Sequence, residues 1–234
     1  MKTKTSQKVP TPFSLRQSAS RSFPLGSILV LVALTSCCLI QPGTELVFTT
    51  LAPNCTYYPD NGIDLISGPP TPGVAEYAAK FTAMTSGNLA TVHLGMTHCS
   101  KTKLPGGPVG VFLCRDAAGL PNIATQTYLG TVAPTEWFGT TNNSVVRLVV
   151  AGKVPVVQGL DYWLVLKPAA LEYNCDIWNT SIEMFGSAVD SWDGGVTWWT
   201  FNEPRALPAF GITAWPRPWA DFFRDRVYEE VKVF

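Results

Sequence analysis

The chain has 234 residues, of which 46% are hydrophobic and only 15% are charged, with 17 basic and 17 acidic side chains. Five of the 17 basic residues lie in the first 36 positions, so the remainder carries 12 basic residues against 17 acidic ones, a net charge of about −5. A mildly acidic chain without a cluster of Lys and Arg lacks the charge pattern of a phosphate-binding protein, so nucleic acid is not an expected partner.

The first segment of the chain is typical of an export signal. Its start contains five basic residues and no acidic one, and an apolar run follows from Leu25 to Leu34. That run is too short to cross a membrane as a permanent helix, which needs about 20 residues. Residues 1–36 are therefore predicted to be a signal peptide.

The end of this segment resembles a bacterial lipobox. The residues Leu34-Thr35-Ser36-Cys37 have the small side chain followed by cysteine that lipidation requires, which predicts that Cys37 is lipidated. Several acyl chains on one cysteine would give stable attachment, whereas a single chain holds only weakly. The alternative is cleavage at a neighbouring position, which would release a soluble domain.

Residues 37–73 are predicted to be a loosely structured linker. They are rich in Pro, Gly, Asn and Asp, and Asn61-Gly62 and Gly68-Pro69-Pro70 are turn signals.

Residues 74–215 are predicted to form an antiparallel β-sandwich or jelly roll. Apolar and polar residues alternate from Ala75 to Thr82, which is typical of a half-buried strand. Short β-branched or aromatic runs, separated by Gly, Pro or Asn, follow at Ala90–Met96, Val109–Cys114, Thr125–Val132, Val145–Val150 and Leu160–Leu166. The run Tyr162–Leu166 is apolar on both faces, which predicts a central strand covered on both sides. A strand whose outer face meets the tail is the alternative.

The tail, residues 216–234, has apolar residues at helical spacing after Pro218, namely Phe223, Val227, Val231 and Phe234. This spacing predicts a short amphipathic helix. The alternation between Arg226 and Phe234 also fits an edge strand.

Four cysteines follow the lipobox region, at Cys55, Cys99, Cys114 and Cys175. An even number in an exported chain predicts two disulfides, with three possible connectivities. Buried free thiols are the alternative, because the sequence does not show whether the Cβ atoms approach closely.

Several motifs in the segment from Glu76 to Trp215 occur in the same order in a known family. They are the alternating strand 75–81, the strand and turn 109–121, the stretch Gly159–Val165, Trp178, and the hairpin Gly194–Trp198. On these residues the segment resembles the R type of the choice-of-anchor domain family. The resemblance implies an exported bacterial β-sandwich without a known catalytic set. Members carry varied attachment signals, and this chain departs from them by ending in Asp221–Phe234 rather than in a sorting signal.

Two of these motifs predict tight turns. Asp116 can accept hydrogen bonds from the following amides, Gly119 can adopt a positive φ, and Pro121 fixes the end of the turn. The second motif, Ser191 to Trp198, matches the Asp-box pattern S-x-D-x-G-x-T-W, with Ser191, Asp193, Gly195, Thr197 and Trp198 at the fixed positions. It resembles the boxes of sialidases, which cap hairpins and are not catalytic. A single box with scattered arginines does not predict a sialidase.

No residue pattern predicts catalysis, a cofactor or a metal site. A nucleophilic Ser or Cys needs a neighbouring base, and the two histidines, His93 and His98, are both expected on the surface without a nucleophile elbow. The chain is therefore expected to be a non-catalytic protein of the cell envelope with a structural, adhesive or ligand-presenting role. An enzyme whose site forms from residues distant in the sequence is an alternative.

The last third of the chain is rich in tryptophan, which suggests an alternative function. Exposed indoles on a β-sandwich can stack on sugar rings, so Trp192 and Trp199 are candidate carbohydrate-binding residues. The expected partners are thus a polysaccharide or another envelope protein, with contact to a membrane through the lipid anchor only.

Overall fold

The computed structural model describes residues 40–67, 75–99, 107–139, 145–168, 174–201 and 205–216. The strands that these residues form are β1 Glu45–Thr49, β2 Tyr58–Ser67, β3 Glu76–Thr82, β4 Gly87–His98, β5 Val109–Ala117, β6 Leu120–Val132, β7 Val145–Val149, β8 Pro155–Val156, β9 Asp161–Pro168, β10 Asn174–Gly186, β11 Ala188–Ser191, β12 Trp199–Thr200, β13 Arg205–Pro208 and β14 Phe210–Pro216. The predicted signal peptide, Cys37 and the tail beyond Pro216 lie outside the described residues.

The strands form two antiparallel sheets. The first sheet has the order β1-β14-β4-β10-β13, with β2 beside β10 and with β7 and β8 beside β4. The second sheet has the order β12-β11-β3-β9-β5-β6. The expected antiparallel all-β fold is confirmed.

The core lies between the inner faces of the two sheets. Because side chains alternate along a strand, β3 directs Tyr77, Ala79 and Phe81 into this core. They meet aromatic side chains of the first sheet: the ring centroids of Phe81 and Phe210 are 6.0 Å apart, and those of Tyr77 and Trp178 are 6.1 Å apart. Burial of each such side chain contributes about 1.5–3 kcal/mol to folding.

Strand β9 is buried on both faces, as its sequence predicts. Tyr162, Leu164 and Leu166 belong to the core between the sheets, whereas Trp163 and Val165 point to the opposite side. There they form a second buried cluster with Ala78, Cys114 and Val189, which we call the outer cluster. The neighbours of β9 are β3 and β5, so it is a central strand of the second sheet.

The prediction of a loosely structured linker is wrong for much of residues 37–73. Strand β1 pairs with β14, and the ten-residue β2 pairs with β10. The turn signal Asn61-Gly62 lies inside β2, opposite an irregularity in the register of β10. Among the described strands β2 has β10 as its only neighbour, and such an edge strand tolerates residues like Pro59 that favour turns elsewhere.

Candidate functional site

The Asp-box residues close the loop between β11 and β12. The Ser191 hydroxyl donates to Asp193 Oδ1 at 2.9 Å and accepts from the Gly195 N–H at the same distance. Asp193 Oδ1 also accepts from the Thr197 N–H at 2.8 Å. This last hydrogen bond, with the others that the carboxylate accepts, holds the pKa of Asp193 below its usual value. We call residues 188–200 the Asp-box hairpin.

The loop also covers the outer face of the second sheet. Trp198 packs against the outer cluster. Gly195 has a φ of +85° and lies so close to this face that a Cβ there would be 3.0 Å from Glu76 Oε2. The fixed positions of the box therefore serve packing and turn geometry.

The turn between β5 and β6 uses Asp116 as an acceptor. Asp116 Oδ2 accepts from the Gly119 N–H at 3.1 Å, and both Ala118 and Gly119 have positive φ values, 53° and 87°. Two such residues make a tight hairpin that suits the twist of the strands. Pro121 follows within β6, opposite Asp116.

Asp116 has a second role that the sequence does not indicate. Its Oδ1 atom accepts from Trp163 Nε1 at 2.7 Å and lies 3.1 Å from Lys80 Nζ, which also pairs with Asp161 Oδ2 at 2.9 Å. An unpaired indole N–H on a fully buried Trp163 would cost about 1–3 kcal/mol. Burial opposes ionisation of Asp116, but the bonds from Trp163 and Gly119 and the ammonium of Lys80 lower its pKa overall.

A second ion pair lies on the same face. Lys167 Nζ is 2.8 Å from Glu76 Oε2, and Glu76 is buried. Desolvation raises the pKa of Glu76 although the bond to Lys167 opposes the shift. Together with the Lys80 pairs, this contact places the charged groups Glu76, Lys80, Asp116 and Lys167 in ion pairs on this face.

The two candidate sugar-binding tryptophans lie together on the Asp-box hairpin. Trp199 is 63% exposed and Trp192 is 45% exposed. Asp190 lies opposite Trp199 in the strand register, and its Oδ2 accepts from Trp192 Nε1 at 3.2 Å. Residues that face each other across an antiparallel pair share one face, so Asp190 connects the two indoles on one side of the hairpin.

A cleft of about 440 Å³ opens beside this hairpin. We call it the edge cleft. Its lining includes Phe185 from β10, Thr200 from β12, Phe201, and Arg205 from β13. None of the described residues that line it is acidic. Sequence patterns do not point to Phe185 and Arg205, because neither belongs to a motif.

The expectation of a surface histidine is wrong for His93. This side chain is only 6% exposed, and its Nε2 atom is 3.0 Å from the Thr91 hydroxyl. Desolvation, aided by the positive charge of Arg147, lowers its pKa from 6.5 to about 4. His93 is consequently neutral at physiological pH.

His98 is also partly buried rather than on the surface. Its Nδ1 atom is 3.0 Å from Oδ1 of the buried Asp176, and its ring lies 5.3 Å from that of Trp137. Burial raises the pKa of Asp176, against the effect of His98. Among the residues that the structure describes, no three His, Cys, Asp or Glu side chains come close enough to hold a metal ion.

The prediction of two disulfides among the four cysteines is wrong. Cys99 and Cys114 are buried free thiols. Cys114 belongs to the outer cluster, whereas Cys99 packs against Ile177, so each fills apolar space as a small side chain. Burial raises the pKa of Cys114 to about 11, which suppresses formation of its reactive thiolate. Cys55 is disulfide-bonded, as predicted for this cysteine, whereas the pairing of Cys175 remains a prediction.

No family model and no curated protein matches the chain. Two solved structures are similar to it at a TM-score of 0.45, and each aligns with 75% of the chain. One contains the cysteine protease and lectin-like domains of Cwp84, a surface layer associated protein of Clostridium difficile, with 13% identity over 37% of that chain. The other is a variant of the clostridial cysteine protease Cwp84 after propeptide cleavage, with 11% identity over 41% of its chain. The chain therefore spans less than half of either structure.

The Asp-box geometry predicts that Asp193→Ala lowers the melting temperature by a few degrees, because the Ser191 hydroxyl and the Thr197 N–H lose their acceptor. Asp193→Asn keeps the Oδ1 acceptor and should retain most of the stability. Thermal unfolding followed by circular dichroism measures both, with the exposed Asp64→Ala on β2 as the control. A melting temperature for Asp193→Ala equal to that of the control would contradict the capping role.

The burial of His93 predicts a specific dependence of stability on pH. The unfolded chain binds a proton at this histidine near pH 6.5 and the folded chain only near pH 4. Its contribution to stability is therefore complete above pH 6.5 and is lost as the pH falls towards 4, by roughly 3 kcal/mol at most.

The variant His93→Gln has no charge to gain at this position. Urea unfolding of the wild type and of His93→Gln between pH 7 and pH 4 should show that the wild type loses more stability in acid. Parallel curves for the two proteins would show that His93 does not titrate as its burial requires.

Proposed function

We propose that the chain is an exported, non-catalytic β-sandwich of the bacterial cell envelope with a structural, adhesive or ligand-presenting role. The observation that carries this proposal is the distribution of polar groups over the second sheet. Lys80, Asp116 and the Glu76–Lys167 pair are bound in structural contacts, whereas the Asp-box hairpin exposes aromatic side chains. His93 and Cys114, as a neutral imidazole and a protonated thiol, fit the non-catalytic part of the proposal.

Export and anchoring are supported by the sequence. The basic and apolar leader, residues 1–36, and the lipobox-like Leu34–Cys37 fit a lipidated precursor. No helix of the described residues is long and apolar enough to cross a membrane. The resemblance to the choice-of-anchor family belongs to the same proposal.

Lipidation predicts a difference between two adjacent cysteines. In a bacterial host grown with labelled palmitate, Cys37→Ser should lose the label and leave an unprocessed precursor, because the modified thiol is absent. Cys38→Ser is the matched control and should be labelled and processed like the wild type. Normal processing of the wild type in cells treated with globomycin, or label retained by Cys37→Ser, would overturn the lipid-anchor proposal.

A carbohydrate-binding module is the second candidate function. It is favoured by the exposed Trp192 and Trp199 on one side of the Asp-box hairpin. Val189 and Thr200 of the same hairpin line the edge cleft. Exposed indoles offer large apolar faces that stack on sugar rings at a small cost in conformational entropy. The edge cleft has a volume within the range of small-ligand sites, about 300–1,000 Å³.

This candidate predicts that Trp192→Ala and Trp199→Ala each weaken glycan binding, by roughly two- to tenfold. The matched control is Trp215→Ala on β14 of the first sheet, where the indole is also exposed. Purified protein is first tested on an array of neutral and acidic oligosaccharides, and affinities are then measured by titration calorimetry. Binding that persists unchanged in both hairpin variants would exclude this site.

A further inference from the structure

We propose that the edge cleft binds the carboxylate of an acidic sugar through Arg205. This inference rests on the second candidate function and adds the class of saccharide to it. The exposed indoles of the hairpin do not distinguish neutral sugars from acidic ones, because stacking uses the apolar face of the ring. Discrimination requires a charged group beside an aromatic surface, and the described lining of the cleft provides Arg205 together with Phe185 and Phe201.

The guanidinium of Arg205 stacks on an aromatic ring, although the side chain is exposed. Its central carbon lies 3.8 Å from the ring centroid of Phe201. Phe201 is itself held by Tyr77, with ring centroids 6.2 Å apart in a stacked arrangement. Tyr77 is buried in the core between the sheets, so the arginine rests on an aromatic stack that is anchored in the fold. A guanidinium held in this way has lost much of its side-chain freedom before a ligand arrives.

The charge of Arg205 is available to a ligand. Within the described ranges, no carboxylate lies within ion-pair distance of its guanidinium. Of the two acidic residues of the neighbouring hairpin, Asp190 is bound to Trp192 and Asp193 to Ser191 and Thr197. A planar guanidinium with several donors matches the two oxygens of a carboxylate and forms stronger hydrogen bonds with it than with a neutral hydroxyl.

The rest of the cleft suits the sugar ring that carries the carboxylate. Phe185 is 66% exposed and provides an aromatic face, while the Thr200 hydroxyl can bond to a ring hydroxyl. The chain beyond the leader has a net charge of about −5, which disfavours general attraction of polyanions. Recognition of an acidic saccharide would therefore depend on this single cation.

The test compares oligomers of galacturonate, glucuronate and mannuronate, each paired with its carboxyl-reduced form. The purified wild-type protein should bind at least one acidic form about tenfold more tightly than its reduced counterpart. Arg205→Gln should abolish this preference and leave the affinity for the reduced form unchanged. Arg147→Gln, which removes an exposed arginine of β7 outside the cleft, should keep the preference.

A further variant covers the case in which Arg205→Gln is destabilised. Phe185→Ala truncates an exposed side chain and should weaken binding of the acidic and reduced forms equally. If acidic and reduced forms bind alike, or if Arg205→Gln retains the preference, the inference is wrong while the second candidate function stands. If no saccharide binds, the second candidate function fails and the inference fails with it.

Discussion

The burial of β9 on both faces is the constraint on which the second sheet depends. Tyr162, Leu164 and Leu166 fill the space between the sheets, and the opposite face must then hide Trp163 and Val165 from water. One sheet of a two-layer sandwich usually leaves its outer face to solvent. Here the outer face of the second sheet is covered by loops, and the position of these loops determines which surfaces remain exposed for binding.

Two loops provide this cover by different means. The turn after β5 contributes Leu120 to the outer cluster, and its Asp116 satisfies the buried indole N–H of Trp163. The Asp-box loop adds Trp198 from the other side. Trp198 lies just before β12 and packs against the sheet, whereas Trp199, the first residue of β12, is exposed. The aromatic surface of the hairpin is thus a geometric consequence of how the outer face is sealed.

Features that depend on neighbours in the sequence could be predicted. The alternation of apolar and polar residues predicts the strands from Ala75 onward. The run Tyr162–Leu166, which is apolar on both faces, predicts that β9 is buried on both sides. Local hydrogen bonding accounts for the turn at Asp116. Composition gave the wrong result for residues 37–73, because turn-forming residues such as Asn61-Gly62 are tolerated in an edge strand that is held by its partner. The pairing of a strand with a partner far away in the sequence cannot be read from the composition of that strand alone.

Features that depend on contacts between distant residues could not be predicted. His93 alternates with polar residues, yet the polar partner Thr91 is itself buried and bonds to Thr213 from β14 at 2.7 Å. The edge cleft joins Phe185, Phe201 and Arg205, which lie on three separate elements and share no motif.

The same reasoning explains why the candidate binding surface lies at the sheet edges, where β12 of the second sheet and β13 of the first sheet both line the edge cleft. On the outer face of the second sheet, Lys167 pairs with the buried Glu76, and Asp116 pairs with Lys80 and satisfies the buried Trp163 N–H. Changing Lys167 or Asp116 to recognise a ligand would leave a buried group unpaired. At the edge, Arg205 stacks on Phe201, and none of the carboxylates that the structure describes forms an ion pair with it. Stacking fixes the position of a cation without neutralising it, and a cation that is fixed and not neutralised is the arrangement that an anionic ligand requires.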